Sequence, residues 1–196
     1  MNENRPDVSE YLAHFTKGKS GKTALQILQT ILESKMLIAS SLPWTNRPAV
    51  CFTECPWTSL LAHSKQYSPY GVGFAKPRVF AAGGAPAYYV RADHYKKQQW
   101  EDHIHTFATP FWPNYRPKGL QTDALGGKTI DYAHEREWRV PHDFSFDLSQ
   151  VEFVIMNTYE DMAKFPKELK DGVGRDKFIL MENYKTIERL WPVHKV

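Results

Sequence analysis

The spacing of apolar positions changes several times along the chain, and each change marks an element. Tyr11–Thr16 alternates and is aromatic, which predicts a first strand. Lys17–Lys22 is polar and contains glycine, which predicts a loop. From Thr23 to Met36, Ala24, Leu25, Ile27, Leu28, Ile31 and Leu32 recur at helical spacing and form the clearest amphipathic helix. Pro43 and Pro48 bracket a loop, and Ala49–Glu54 reads as a short apolar strand closed by Pro56. Thr58–Tyr67 reads as a short helix. Val72–Ala75 and Ala87–Arg91 read as strands, with Pro77 and Gly83–Gly84 punctuating the link. Asp93–Phe107 reads as a charged helix. Pro110–Lys128 is the longest irregular stretch, and such loops tend to carry function. Glu137–Val140, Val151–Met156 and Phe178–Met181 complete the strands, with a helix around Tyr159–Leu169. Short strands outnumber helices. The fold class expected is therefore α+β, a mixed and mostly antiparallel sheet with flanking helices.

Composition refines that picture only modestly. A chain of 196 residues, 42% hydrophobic and 24% charged, is expected to form one globular domain over residues 1–196. The net charge of +3 permits contact with nucleic acid without arguing for it. No apolar run follows a basic start, and none approaches the roughly 20 residues of a membrane span. The expectation is a cytoplasmic protein with no membrane partner. Cys51 and Cys55 are too few for a zinc site or a disulfide framework and read as packing residues.

Three motifs suggest chemistry and weaken on inspection. Thr16–Thr23 ends in Gly-Lys-Thr like a P-loop, yet Thr16 stands where the first glycine belongs and Gly18 is out of register. A flexible basic loop leading into a helix is the simpler reading. His94, His103 and His105 lack an acidic partner placed to complete a three-ligand set, so no metal is expected. No G-x-S-x-G elbow occurs, and nothing in the spacing pairs Cys51 or Cys55 with a histidine. Two polar pieces are more promising. His14-Phe15-Thr16 closes the first strand just before the long helix. His134–Val140 brings Glu135, Arg136 and Glu137 to the start of another strand, where a sheltered carboxylate is a functional candidate.

Val50–Pro56, Leu60–His63, Tyr70–Lys76 and Gly84–Tyr89 together resemble the core pattern of AbiGi-type abortive-infection proteins. That resemblance implies a role in phage defence, often beside a cognate toxin or antitoxin. It does not name a chemistry.

A looser resemblance does. The order of pieces is similar to that of the DNA-modifying ADP-ribosyltransferase DarT and its relatives. His14-Phe15-Thr16 matches their strand ending in H-x-T, Ala24–Leu28 their first helix, Val50–Phe52 their second strand, and Glu137–Val140 the strand opened by their catalytic glutamate. An arginine is implied after the second strand. This chain has Trp57 there, with Arg47 and Arg78 as the nearest replacements. The resemblance implies an ADP-ribosyltransferase-like fold, with NAD as substrate and nucleic acid or protein as acceptor. Glu137 would stabilise an oxocarbenium-like state, with Glu135 assisting from the same face. His14, Phe15 and Thr16 would hold NAD, and Phe52, Tyr67 or Tyr70 would stack on nicotinamide. Lys118, Lys128 and Arg136, with Trp112, Tyr115 and Tyr132, would face a nucleic-acid acceptor. The alternative is a non-catalytic AbiGi-like antitoxin or regulator that binds a partner protein or DNA.

Overall fold

The first strand, β1 (Tyr11–Phe15), hands over to a tight turn and then to helix α1 (Ala24–Ser34). The computed structural model describes residues 9–54, 64, 67–113 and 131–190. Thr23 caps α1: its hydroxyl accepts from the Gln26 amide, and the Gln26 side chain accepts from the Thr23 amide in return. The helix buries Leu28, Ile31 and Leu32 and ends where Lys35 turns left-handed. The expected helix is therefore present and slightly shorter. The Gly-Lys-Thr segment is used locally. Lys19 and Lys22 exchange both backbone hydrogen bonds at 3.1 Å across a turn that puts Ser20 and Gly21 at positive φ. Those two amides are thereby committed to the turn and cannot wrap a phosphate.

Short strands β2 (Met36–Leu37) and β3 (Ser40–Ser41) lead to β4 (Pro48–Thr53), and β5 (Gly71–Ala75) follows. Pro77 lies in the first turn of helix α2 (Lys76–Ala81) and does not break it, because a proline there gives up no helical hydrogen bond. Next come β6 (Ala85–Pro86) and β7 (Tyr88–Arg91). The helix expected over Asp93–Phe107 is instead two single turns, α3 (Ala92–Tyr95) and α4 (Asp102–His105). The run Lys96-Lys97-Gln98-Gln99 between them is exposed and offers no apolar stripe to bury. Pro110 lies inside a further strand, β8 (Ala108–Phe111), which pairs in parallel with β7. After β9 (Glu137–Val140), β10 (Phe144–Ser145) and β11 (Phe153–Met156), the helix expected over Tyr159–Leu169 is split. Pro166 forces Phe165 into an extended conformation between α5 (Tyr159–Lys164) and α6 (Lys167–Val173). Strand β12 (Phe178–Leu180) and α7 (Met181–Leu190) follow. The helix expected over Thr58–Tyr67 lies mostly outside the described residues.

The main sheet is open and runs β12-β11-β5-β1-β4-β9-β6, with β3 on the side of β4. Only the β11–β12 pair within it is parallel. One face carries Leu12, Val50, Phe52, Val72, Phe74, Val140, Val154 and Met156 into the principal core against α1 and α6. Phe74 is the hub of an aromatic cluster, 5.0 Å from Phe144 and 4.9 Å from Phe146 between ring centres. The other face holds a small cluster of Ala13, Phe15, Ile155 and Met181.

Register identifies what else lies on that second face. Ala13 stands opposite Thr53, Thr53 opposite Glu137, and Cys51 opposite Arg139. Directly paired residues share a face. The sheet therefore lines up Ala13, Thr53 and Glu137 in one row across β1, β4 and β9. On the same face Phe153 stands opposite Gly73, and its ring lies over the glycine. A Cβ on Gly73 would meet the Phe153 ring at 2.2 Å, too close for both to stay. Gly73→Ala is expected to cost about 1–3 kcal/mol in chemical denaturation, the usual penalty for overpacking. In a Phe153→Ala background the same change should be nearly neutral. An equal cost in both backgrounds would show that the ring is not the obstacle.

Candidate functional site

The row of paired residues on the second face forms the floor of a cavity of about 510 Å³. β1 supplies Ala13, His14 and Phe15, and β4 supplies Cys51, Phe52 and Thr53. Tyr67, Thr109, Glu135, Glu137 and Arg139 form further walls, and Ser40–Trp44, Lys17 and Tyr132 complete the lining. His14, Phe15, Phe52, Tyr67, Glu135 and Glu137, six of the candidates singled out in the sequence, therefore lie around one space, although the Phe52 ring itself packs into the principal core against Phe74 and Phe144.

The two remaining candidates are occupied elsewhere. The hydroxyl of buried Thr16 donates to the carbonyls of Ala24 (2.9 Å) and Tyr70 (3.2 Å), tying the end of β1 to the start of α1. The Tyr70 hydroxyl donates to Asp161 at 3.0 Å, and burial with that carboxylate pushes the phenol up to about 12. Neither residue lines the cavity. The two replacement arginines are also engaged away from it. Arg47 pairs with exposed Asp102, and Arg78 donates to the Ser145 carbonyl at 2.6 Å with its guanidinium over the Phe144 ring. Of the residues proposed to face an acceptor, Tyr115, Lys118 and Lys128 lie outside the described residues.

The arginine that does reach the cavity is Arg139, which the sequence reading passed over. Its Nε and Nη2 donate to the two oxygens of Glu137, each at 2.9 Å. Its Nη1 donates to the carbonyls of Thr106 (2.9 Å) and Ala108 (3.1 Å). The side chain is 3% exposed, and that of Glu137 15%. The signal was present in sequence: two residues apart on a strand, Glu137 and Arg139 had to share a face. Burial works against the guanidinium charge, and Glu137 more than offsets it, so Arg139 holds its proton above the usual range. The Cys51 thiol shares this face with the Glu137 carboxylate. Burial and that carboxylate push the thiol far up, which leaves it a poor nucleophile.

Glu135 reaches the cavity differently. It ends a single 3-10 turn, Ala133–Glu135, and so does not sit on the strand as alternation had suggested. Arg136 then turns left-handed at φ 46° and redirects the chain into β9. The Thr53 hydroxyl donates to the Glu135 carbonyl and holds the turn against β4. The buried Glu135 carboxylate accepts from the Tyr67 hydroxyl at 3.0 and 3.1 Å. Burial raises its pKa, with Glu137 adding to the rise and Tyr67 and His134 opposing it. His14 is held at the edge of this space as a neutral imidazole beside the Phe52 ring: burial lowers its pKa, and one ring nitrogen, Nδ1, lies 2.8 Å from the Cys51 carbonyl. With Nδ1–H donating there, Nε2 is left as the acceptor.

Glu54, the other buried glutamate nearby, belongs to the opposite face. It pairs with Lys76 at 2.8 Å and accepts from the Trp138 indole at 3.2 Å. Among the described residues no group of three or more His, Cys, Asp or Glu that could hold a metal ion gathers. Among the same residues no helix is long and apolar enough to cross a membrane.

Comparison with protein families matches residues 31–185 to the family described as "Putative abortive phage resistance protein AbiGi, antitoxin". Comparison with curated proteins and with solved structures returns no match. The family match spans the cavity from Ser40 to Arg139.

Two carboxylates in one cavity should respond oppositely to substitution. Glu137→Gln leaves a buried guanidinium without its charge partner and is expected to destabilise the fold by about 3–5 kcal/mol. Glu135→Gln keeps an acceptor for Tyr67 and removes a carboxylate that burial disfavours. A raised pKa means that stability is fullest below the ordinary carboxylate range and falls as pH rises through the raised value. Glu135→Gln should therefore melt higher than the parent at pH 8 and no higher at pH 4, as followed by thermal denaturation. A lower melting temperature at pH 8 would contradict this account of Glu135.

Proposed function

The chain belongs to the AbiGi family, and we propose that it serves in phage defence as an antitoxin, by binding a cognate toxin and not by turnover. The family description supports the role. Binding over turnover is supported by Glu137. As the glutamate opening β9, it stands where the transferase reading needs a carboxylate free to face the ribose of NAD. Both its oxygens are instead engaged by a buried guanidinium. A carboxylate neutralised in this way has little charge left to stabilise a developing cation.

A second reading keeps an ADP-ribosyltransferase-like fold and the transfer of ADP-ribose from NAD to nucleic acid or protein. One observation favours it: His14, Phe15, Phe52, Tyr67 and Glu135 surround a single cavity. On that reading Glu135 takes the catalytic part assigned to Glu137, and the aromatic side chains stack on nicotinamide.

Co-expression with the product of the neighbouring gene separates the two. The antitoxin reading expects growth rescue and co-purification of the two proteins, with no label passing from NAD to DNA, RNA or cell extract. Absence of both rescue and co-purification would overturn it. Label transfer that disappears in Glu135→Gln would establish the second reading in its place.

A further inference from the structure

The three glutamates sheltered around β4 and β9 differ in what compensates them. Glu54 has Lys76 at 2.8 Å, and Glu137 has Arg139 at 2.9 Å. Glu135 is as buried as Glu54, at 7% against 8% exposure, yet among the described residues its carboxylate accepts hydrogen bonds only from Tyr67. The adjacent His134 eases its charge, but among the described residues no cation forms an ion pair with it. A buried carboxylate without a paired cation is costly and is normally either protonated or paired. Here it lines a cavity large enough for a small organic group.

The other walls suit the same kind of guest. Phe15, Trp44, Tyr67 and Tyr132 line the space, and Trp44 and Tyr132 stand at its exposed rim. Aromatic faces attract cations through their quadrupoles, and a planar guanidinium stacks on them as well. Arg139 does not oppose such a guest, because Glu137 neutralises it through Nε and Nη2 and its Nη1 is held by the Thr106 and Ala108 carbonyls. Lys17 is exposed and solvated.

We propose that the cavity binds a small organic cation of the guanidinium class, with its N–H groups on Glu135 and its plane or alkyl stem between the aromatic side chains. This goes beyond the antitoxin reading and does not depend on it. The cation has two sources, a free metabolite or an arginine side chain of a protein partner, and both present the same chemistry.

The test uses the full chain with n-butylguanidinium, and with n-butylurea as its neutral isostere, followed by calorimetry or by NMR shifts of the Trp44 indole. The cation is expected to bind at least tenfold more tightly than the urea. Glu135→Gln should weaken cation binding at least tenfold, while Glu160→Gln, which removes an exposed carboxylate elsewhere, leaves it unchanged. Trp44→Ala removes only a rim residue and should weaken binding roughly two- to fivefold, which keeps the test informative should Glu135→Gln fold poorly. Blocked Gly-Arg-Gly peptide separates the sources: binding as tight as that of n-butylguanidinium indicates a side chain, and tenfold weaker binding indicates a free ligand. Equal affinity for cation and urea, unchanged cation affinity in folded Glu135→Gln, or no binding of n-butylguanidinium at all would overturn the proposal.

Discussion

The buried pair of Glu137 and Arg139 is the interaction on which the architecture around the cavity depends. Taking two charges out of water is expensive, and their attraction repays that cost only with good geometry and with the remaining donors satisfied. Both conditions hold. The pair is bidentate, and the third guanidinium nitrogen donates to the Thr106 and Ala108 carbonyls. Those carbonyls belong to the segment entering β8, outside the main sheet. Arg139 therefore fastens the β7–β8 unit to β9. The Ala87 amide helps at the same place by donating to the Glu137 carbonyl at 2.8 Å. An interaction of this kind specifies geometry more than it adds net stability, and here it fixes one wall of the cavity.

The sheet divides its labour by face. On one side β-branched and aromatic side chains interlock with α1, α6 and the Phe144–Phe146 segment. On the other, the middle of the sheet is kept low by Ala13, Gly71 and Gly73. Gly71 has no room for a side chain, since a Cβ there would lie 2.8 Å from the His14 carbonyl oxygen. Phe153 fills the relief above Gly73. Further along the same face, beyond β1, no large apolar side chain stands on the paired positions Cys51, Thr53, Glu137 and Arg139. The cavity exists because the residues with bulk are spent on one face and at one end of the other.

This explains which parts of the molecule could be read from its sequence. The strands β1, β4, β5, β9 and β11 and the capped helix α1 follow from period and capping alone, because in each the local pattern agrees with the final burial. Asp93–Phe107 misled because charge and length suggest a helix, while a helix needs an apolar stripe that this segment lacks. Pro77 and Pro110 misled for the opposite reason: both were treated as breaks, yet each occupies a place where its missing amide proton costs little. The site was half legible. Strand spacing brought Glu137 to a sheltered face, and the same spacing already implied Arg139 beside it. What could not be read was the left-handed turn at Arg136, since nothing in the local pattern calls for a positive φ at an arginine. That turn places Glu135 above the sheet and lets Thr53 and Tyr67 reach it.

The contrast between the two carboxylates follows from this turn. Had β9 begun two residues earlier, Glu135 and Glu137 would stand in one row on the sheet and compete for Arg139. The 3-10 turn instead lifts Glu135 out of reach of the guanidinium and under the Tyr67 hydroxyl. One glutamate is thereby committed to holding the wall. For the other, burial favours the protonated acid, and a cationic guest would favour the carboxylate. Family membership speaks to phage defence. The chemistry of the cavity concerns a separate question, which Glu135 decides: what charge a ligand must carry to be held there.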